Sequence, residues 1–183
     1  MGLVGVCLAL LGAAGAGADS AVGKPVFIPV QQFTLAWIHT IEKVRWEEDY
    51  ALAAVAEGVV LKAVAARVRG SAAGMEPPPD AQLKNGWYEY KPQISQPEVL
   101  RLSRSVFAAD YEFCSAGLCR PMSDFLPSDG GITLVTACQI NKTDGLLRAT
   151  AKSPSLQVQH GHPFQHPRIP TLNGYGVFLV AKP

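Results

Sequence analysis

The chain has 183 residues, enough for one domain with appendages and a real hydrophobic core. Sixteen Lys and Arg stand against fifteen Asp and Glu, so no basic face speaks for nucleic acid, and no nucleic-acid partner is expected. Fourteen prolines and seventeen glycines argue for many turns and against a helical bundle.

Leu3 to Leu11 is apolar throughout apart from Gly5, and small residues follow up to Ala16-Gly17-Ala18. A short apolar run before an A-x-A site reads as an export leader, residues 1–18, with Asp19 as the new terminus. The run is short for a membrane span, which needs about 20 apolar residues. No Lys or Arg precedes it, and the alternative is a membrane anchor left uncleaved. The reading places the protein in the periplasm or outside the cell, and cleavage would remove Cys7.

From Phe33 the pattern changes to alternation. Phe33, Leu35 and Trp37 share one face of a predicted strand. The strand runs into a polar cluster, His39, Thr40, Glu42 and Lys43, and Glu47, Glu48 and Asp49 follow. His39 is the one histidine in the body of the chain; the other three lie beyond residue 159. Strict period-two geometry would send His39 and Glu42 to opposite faces, unless a bulge or turn at Thr40 re-aims them. Brought together, an imidazole, a hydroxyl and carboxylates offer proton transfer or a small polar or anionic binding site. The blander expectation is a histidine bonded to backbone at a strand end, with Glu42 and Lys43 solvated.

Residues 50–69 are alanine-rich, and propensity alone favours a helix. Glu57-Gly58 lies between two apolar runs as a hairpin turn would, and two strands are expected. Gly70 to Gly74 reads as a flexible loop and Pro77-Pro78-Pro79 as stiff, extended chain. Trp87 to Tyr90 resumes a strand, with Trp87 placed to cap the core. Further short strands are predicted near Val99–Leu102, Ala109–Phe113 and Gly131–Ala137. The fold class is therefore all-β, a small antiparallel sandwich or partly open barrel over residues 19–140.

Without Cys7, three cysteines remain. Cys114-Ser-Ala-Gly-Leu-Cys119 sets two thiols either side of a turn, and Cys138 competes for either partner. Loop entropy separates the pairings little, roughly 3 kcal/mol for Cys119–Cys138 against roughly 2 for Cys114–Cys119. One structural disulfide and one spare thiol are expected ahead of a redox centre, because no C-x-x-C occurs.

The order H-T-I-E-K, E-E-D-Y, R-V-R-G-S-A-A-G-M-E-P-P and N-G-W-Y resembles the bacterial domain of unknown function 1850 family. The resemblance spans about residues 33–90 and runs more weakly to 138. That family shows an aromatic strand leading into His-Ser-Val-Glu, an acidic pair, and a Gly-Ala-Gly-Leu-Pro loop. Here Thr40 replaces the serine and keeps its hydroxyl, Ala72 replaces the first loop glycine, and Arg45-Trp46 replace a proline and a small apolar residue. The resemblance implies a small exported β-rich protein, often encoded beside TRAP/TAXI-type solute transporters, whose components would be its partners. It implies no known activity. The ligand-site residues it points to are His39, Thr40, Glu42, Glu47, Gly74 and Trp87.

Enzyme signatures are otherwise absent: no G-x-S-x-G, P-loop, dinucleotide motif or H-E-x-x-H is present, and no cofactor is expected. A small hydrolase or metal-dependent enzyme would have to build on His39 with Glu42 or Glu47. Residues 141–183 read as an irregular, proline-broken tail in which His160, His162 and His166 are weak metal ligands. Gly176 to Val180 is apolar enough to add an edge strand.

Overall fold

The computed structural model describes residues 2–11, 21–70 and 76–140. They form eleven strands in two antiparallel sheets that face each other without closing into a barrel. The smaller sheet holds β1 (Leu3–Leu11), β2 (Ala21–Pro29), β8 (Leu100–Ser103) and β11 (Ile132–Ile140) in the order β2-β1-β11-β8. The larger holds β3 (Gln32–Ile38), β4 (Arg45–Val55), β5 (Gly58–Val68), β6 (Gln82–Lys84), β7 (Trp87–Tyr90), β9 (Glu112–Ser115) and β10 (Leu118–Pro121). Its order is β10-β9-β3-β4-β5-β7-β6. A 3-10 turn, Met122–Asp124, follows β10.

The alternation read from the sequence fixes the register. Phe33, Leu35 and Trp37 of β3 and Trp46 and Tyr50 of β4 all enter the core. They meet Val6, Leu8, Leu102 and Val135 of the smaller sheet. Phe33 stacks on Tyr50 and on Phe113, with centroids 5.3 and 4.8 Å apart. Residues 50–69 are two strands, turning at Ala56-Glu57 where Gly58 takes φ +132°. Alanine's helix propensity yields here to burial of Leu61, Ala66 and Val68 against the opposing sheet.

The segment Leu3–Leu11, read above as part of a leader, is a strand in the full chain. It is built in as β1, paired with β2 on one side and with β11 on the other. Residues 5–9 are buried on both faces, and a strand covered on both faces reads as an unbroken apolar run, as a leader does. Gly5 is required there: a Cβ would collide with the Ile28 carbonyl and the Phe27 ring. Residues 12–20, with the expected cleavage site, lie outside the described residues. Among the described residues no helix is long and apolar enough to cross a membrane.

The cysteine reading is corrected in the same place. Cys7 bonds to Cys138, joining β1 to β11 across 131 residues, and Cys114 bonds to Cys119. No cysteine is free in the full chain, because Cys7 takes Cys138; a spare thiol requires cleavage that removes Cys7.

Candidate functional site

The polar cluster sits at one end of the sandwich, where β3 turns into β4. The strand stops at Ile38, and residues 39–44 turn with Lys43 at φ +56°. His39 N donates to the Val44 carbonyl and Lys43 N to the His39 carbonyl, both at 2.9 Å. This turn at Thr40 re-aims the chain, as a joint His39–Glu42 site requires. The Glu42 backbone N–H points at His39 Nδ1, 3.4 Å away. An Nδ1 acceptor leaves Nε2 as the ring donor in the neutral tautomer.

His39 is buried and lies flat on Trp46, with ring centroids 4.2 Å apart and planes 9° from parallel. Trp46 in turn meets Trp37 edge-on, and its indole N–H donates to the Arg69 carbonyl at 3.1 Å. The Arg69 guanidinium lies over the Trp87 ring, 3.9 Å from its centroid. An imidazole, two indoles and a guanidinium therefore form one connected chain from the core to the surface, with Arg69 exposed. The Glu42 carboxylate packs against Gly70, whose φ is +83° and whose missing Cβ leaves room for that carboxylate. Thr40 is half-buried in the turn. Gly74 lies outside the described residues, as do His160, His162, His166 and the rest of the tail.

Glu47 is not part of this cluster. Strand alternation puts it on the outer face, where Arg67 Nη2 and Arg45 Nε approach it at 2.9 and 2.7 Å. Arg67 also binds Asp49, Arg45 also binds Glu112, and Thr34 donates to Asp49 at 2.7 Å. Partial burial works to raise the Glu47 carboxyl, but the hydrogen bonds and charges of Arg45 and Arg67 outweigh it and hold it below the usual range.

Its neighbour Glu48 points the other way, into the core. Tyr50 Oη donates to Glu48 Oε2 at 2.6 Å. Burial pushes this carboxyl up to about 7, against the pull of the Tyr50 hydrogen bond. The tyrosines pay the reciprocal penalty. Burial and the nearby Glu48 charge push Tyr50, Tyr90 and Tyr111 upward. Glu48 was missed from sequence, although its place between Trp46 and Tyr50 at period two was the available signal.

A shallow groove of about 450 Å³ opens on the outer face of the larger sheet, lined by Thr34, Asp49, Val64 and the turn Ser115–Gly117. The Cys114–Cys119 disulfide forms part of its wall. Glu112, Cys114 and Cys119 bring donor atoms within 4.8 Å of one another, but with the sulfurs bonded together and Glu112 held by Arg45 they do not fit a metal.

Comparison with known proteins agrees with the motif order. Residues 33–122 match the family model described as domain of unknown function (DUF1850). The match bears out, over residues 33–122, the resemblance to DUF1850 read from the sequence. No curated protein and no solved structure matches the chain. The matched stretch begins at β3 and ends at Met122, so it takes in the His39 turn, both glutamates of the acidic pair, Trp87 and the Cys114–Cys119 hairpin.

Proposed function

We propose that this protein is an exported accessory or binding protein, working beside a TRAP/TAXI-type solute transporter and holding a small polar or anionic ligand at the His39 end of the sandwich. The observation that carries the ligand reading is the connected chain His39–Trp46–Arg69–Trp87. It ties the imidazole, through Trp46 and the Arg69 backbone, to an exposed guanidinium over Trp87, a cationic group suited to an anion. The compartment is inferred from two disulfides with no free thiol, which suit an oxidising environment.

The enzyme reading, His39 acting with Glu42 or Glu47, has less support. Glu47 is committed to two arginines on the opposite face. The Glu42 backbone N–H points at the ring, and its carboxylate packs against Gly70. A general base oriented by an acid needs that acid at hydrogen-bond distance.

Two measurements test the proposal. Crosslinking in intact envelopes followed by quantitative pull-down should recover a transporter component; recovery of none with several crosslinkers contradicts the partner. Arg69→Gln should weaken binding of small dianions about tenfold while leaving the fold unchanged, since a charged hydrogen bond at a half-open site contributes about 1.5 kcal/mol. Unchanged binding would remove Arg69 from the site.

A further inference from the structure

The two disulfides differ in what they do for the fold. Cys7–Cys138 is buried and closes 131 residues, so it constrains the unfolded chain heavily. Cys114–Cys119 closes only five and constrains it far less. It staples a hairpin that already has its own ladder, Cys119 facing Cys114 and Arg120 facing Phe113. That hairpin also has a turn with positive φ at Ala116 and Gly117. The bond adds little that β9 and β10 lack, so its chemistry becomes the interesting property.

Three features bear on that chemistry. β10 is the edge strand of its sheet and exposed along its whole length, Cys119 included, whereas Cys114 is half-buried. The disulfide lines the outer groove of about 450 Å³. Arg45 Nη2 lies 3.8 Å from Cys114 Sγ and 3.9 Å from Cys119 Sγ. A guanidinium at that range stabilises a thiolate leaving group.

We propose that the groove beside Cys114–Cys119 is a thiol–disulfide exchange site for a dithiol, with Cys119 the sulfur attacked and Cys114 the leaving thiolate. The donor's thiolate attacks Cys119 Sγ in line with the S–S bond. That bond breaks, its electron pair passes to Cys114 Sγ beside Arg45, and a mixed disulfide joins the donor to Cys119. The donor's second thiol, deprotonated, then attacks its own sulfur in the mixed disulfide and releases Cys119 as a thiolate. Solvent protonates the released thiolates. The dithiol ends as a disulfide, and two electrons and two protons have moved to Cys114 and Cys119. Arg45 acts as a positioning residue through its charge.

The test uses the full, folded chain with dithiothreitol as the dithiol and glutathione as a monothiol that arrests the first step. Thiols are trapped by alkylation over time and located by peptide mass spectrometry. The expected result is reduction of Cys114–Cys119 while Cys7–Cys138 stays intact and the far-ultraviolet spectrum is unchanged, with the glutathione adduct on Cys119. Arg45→Gln should slow reduction about threefold or more, and Arg45→Lys should restore most of the rate. Glu112→Gln, which removes a negative charge facing the incoming thiolate, should speed it, an effect that unfolding of the Arg45 variant cannot imitate. The proposal is overturned if both disulfides open together on unfolding, if the adduct forms on Cys114, or if neither Arg45→Gln nor Glu112→Gln moves the rate.

Discussion

Glu47 and Glu48 are adjacent, chemically identical and on one strand, yet the fold treats them as different groups. Glu47 faces outward between two arginines, which keep it ionised. Glu48 faces inward among three tyrosines, with one hydroxyl donating to it, and is pushed up to about 7. The difference comes from the period of two along a strand and from what each face meets. An acidic pair in sequence is therefore not an acidic pair in space. A mechanism that needs two carboxylates together cannot take them from here.

The sharpest way to break this contrast is Glu48→Gln. Glu48 binds its proton more tightly folded than unfolded, so its ionisation costs stability as pH rises from about 4.5 to about 7, and removing the charge should recover it. Chemical denaturation at pH 8 should show the variant more stable by roughly 3 kcal/mol, with no gain at pH 4. Arg67→Ala comes next. It strips Glu47 and Asp49 of a shared partner on a half-buried face and should cost about 2 kcal/mol at pH 7. Glu47→Gln should cost about 1 kcal/mol at pH 7, with the opposite pH sign to Glu48. Its pKa is lowered on folding, so the contribution is present above about 4.5 and fades as pH falls through the folded value; thermal melts from pH 3 to 7 would display this.

Much of the larger sheet was legible. Phe33, Leu35 and Trp37 alternate cleanly, and Glu57-Gly58 marks the hairpin that alanine content obscured. The smaller sheet was less so. β1 carries small and apolar residues on both faces, so it has no alternation and matches a leader's hydropathy. A leader reading of residues 1–18 sets Cys7 aside and so hides its pairing with a cysteine 131 residues away. At the site, the turn at Thr40 is foreseeable as a condition, but the stack of His39 on Trp46 depends on six intervening residues folding back. Glu47 was grouped with His39 by proximity in sequence, which alternation on β4 undoes.

The proposed ligand sits at the His39 end of the sandwich and not at the acidic pair. Tryptophan fluorescence titration with succinate and with inorganic phosphate, run on the wild type, His39→Gln and Glu47→Gln, tests this directly. Saturable binding that His39→Gln weakens about tenfold and Glu47→Gln leaves within twofold is the predicted result. Binding abolished by Glu47→Gln and untouched by His39→Gln, or no binding of either anion by the wild type, would contradict it.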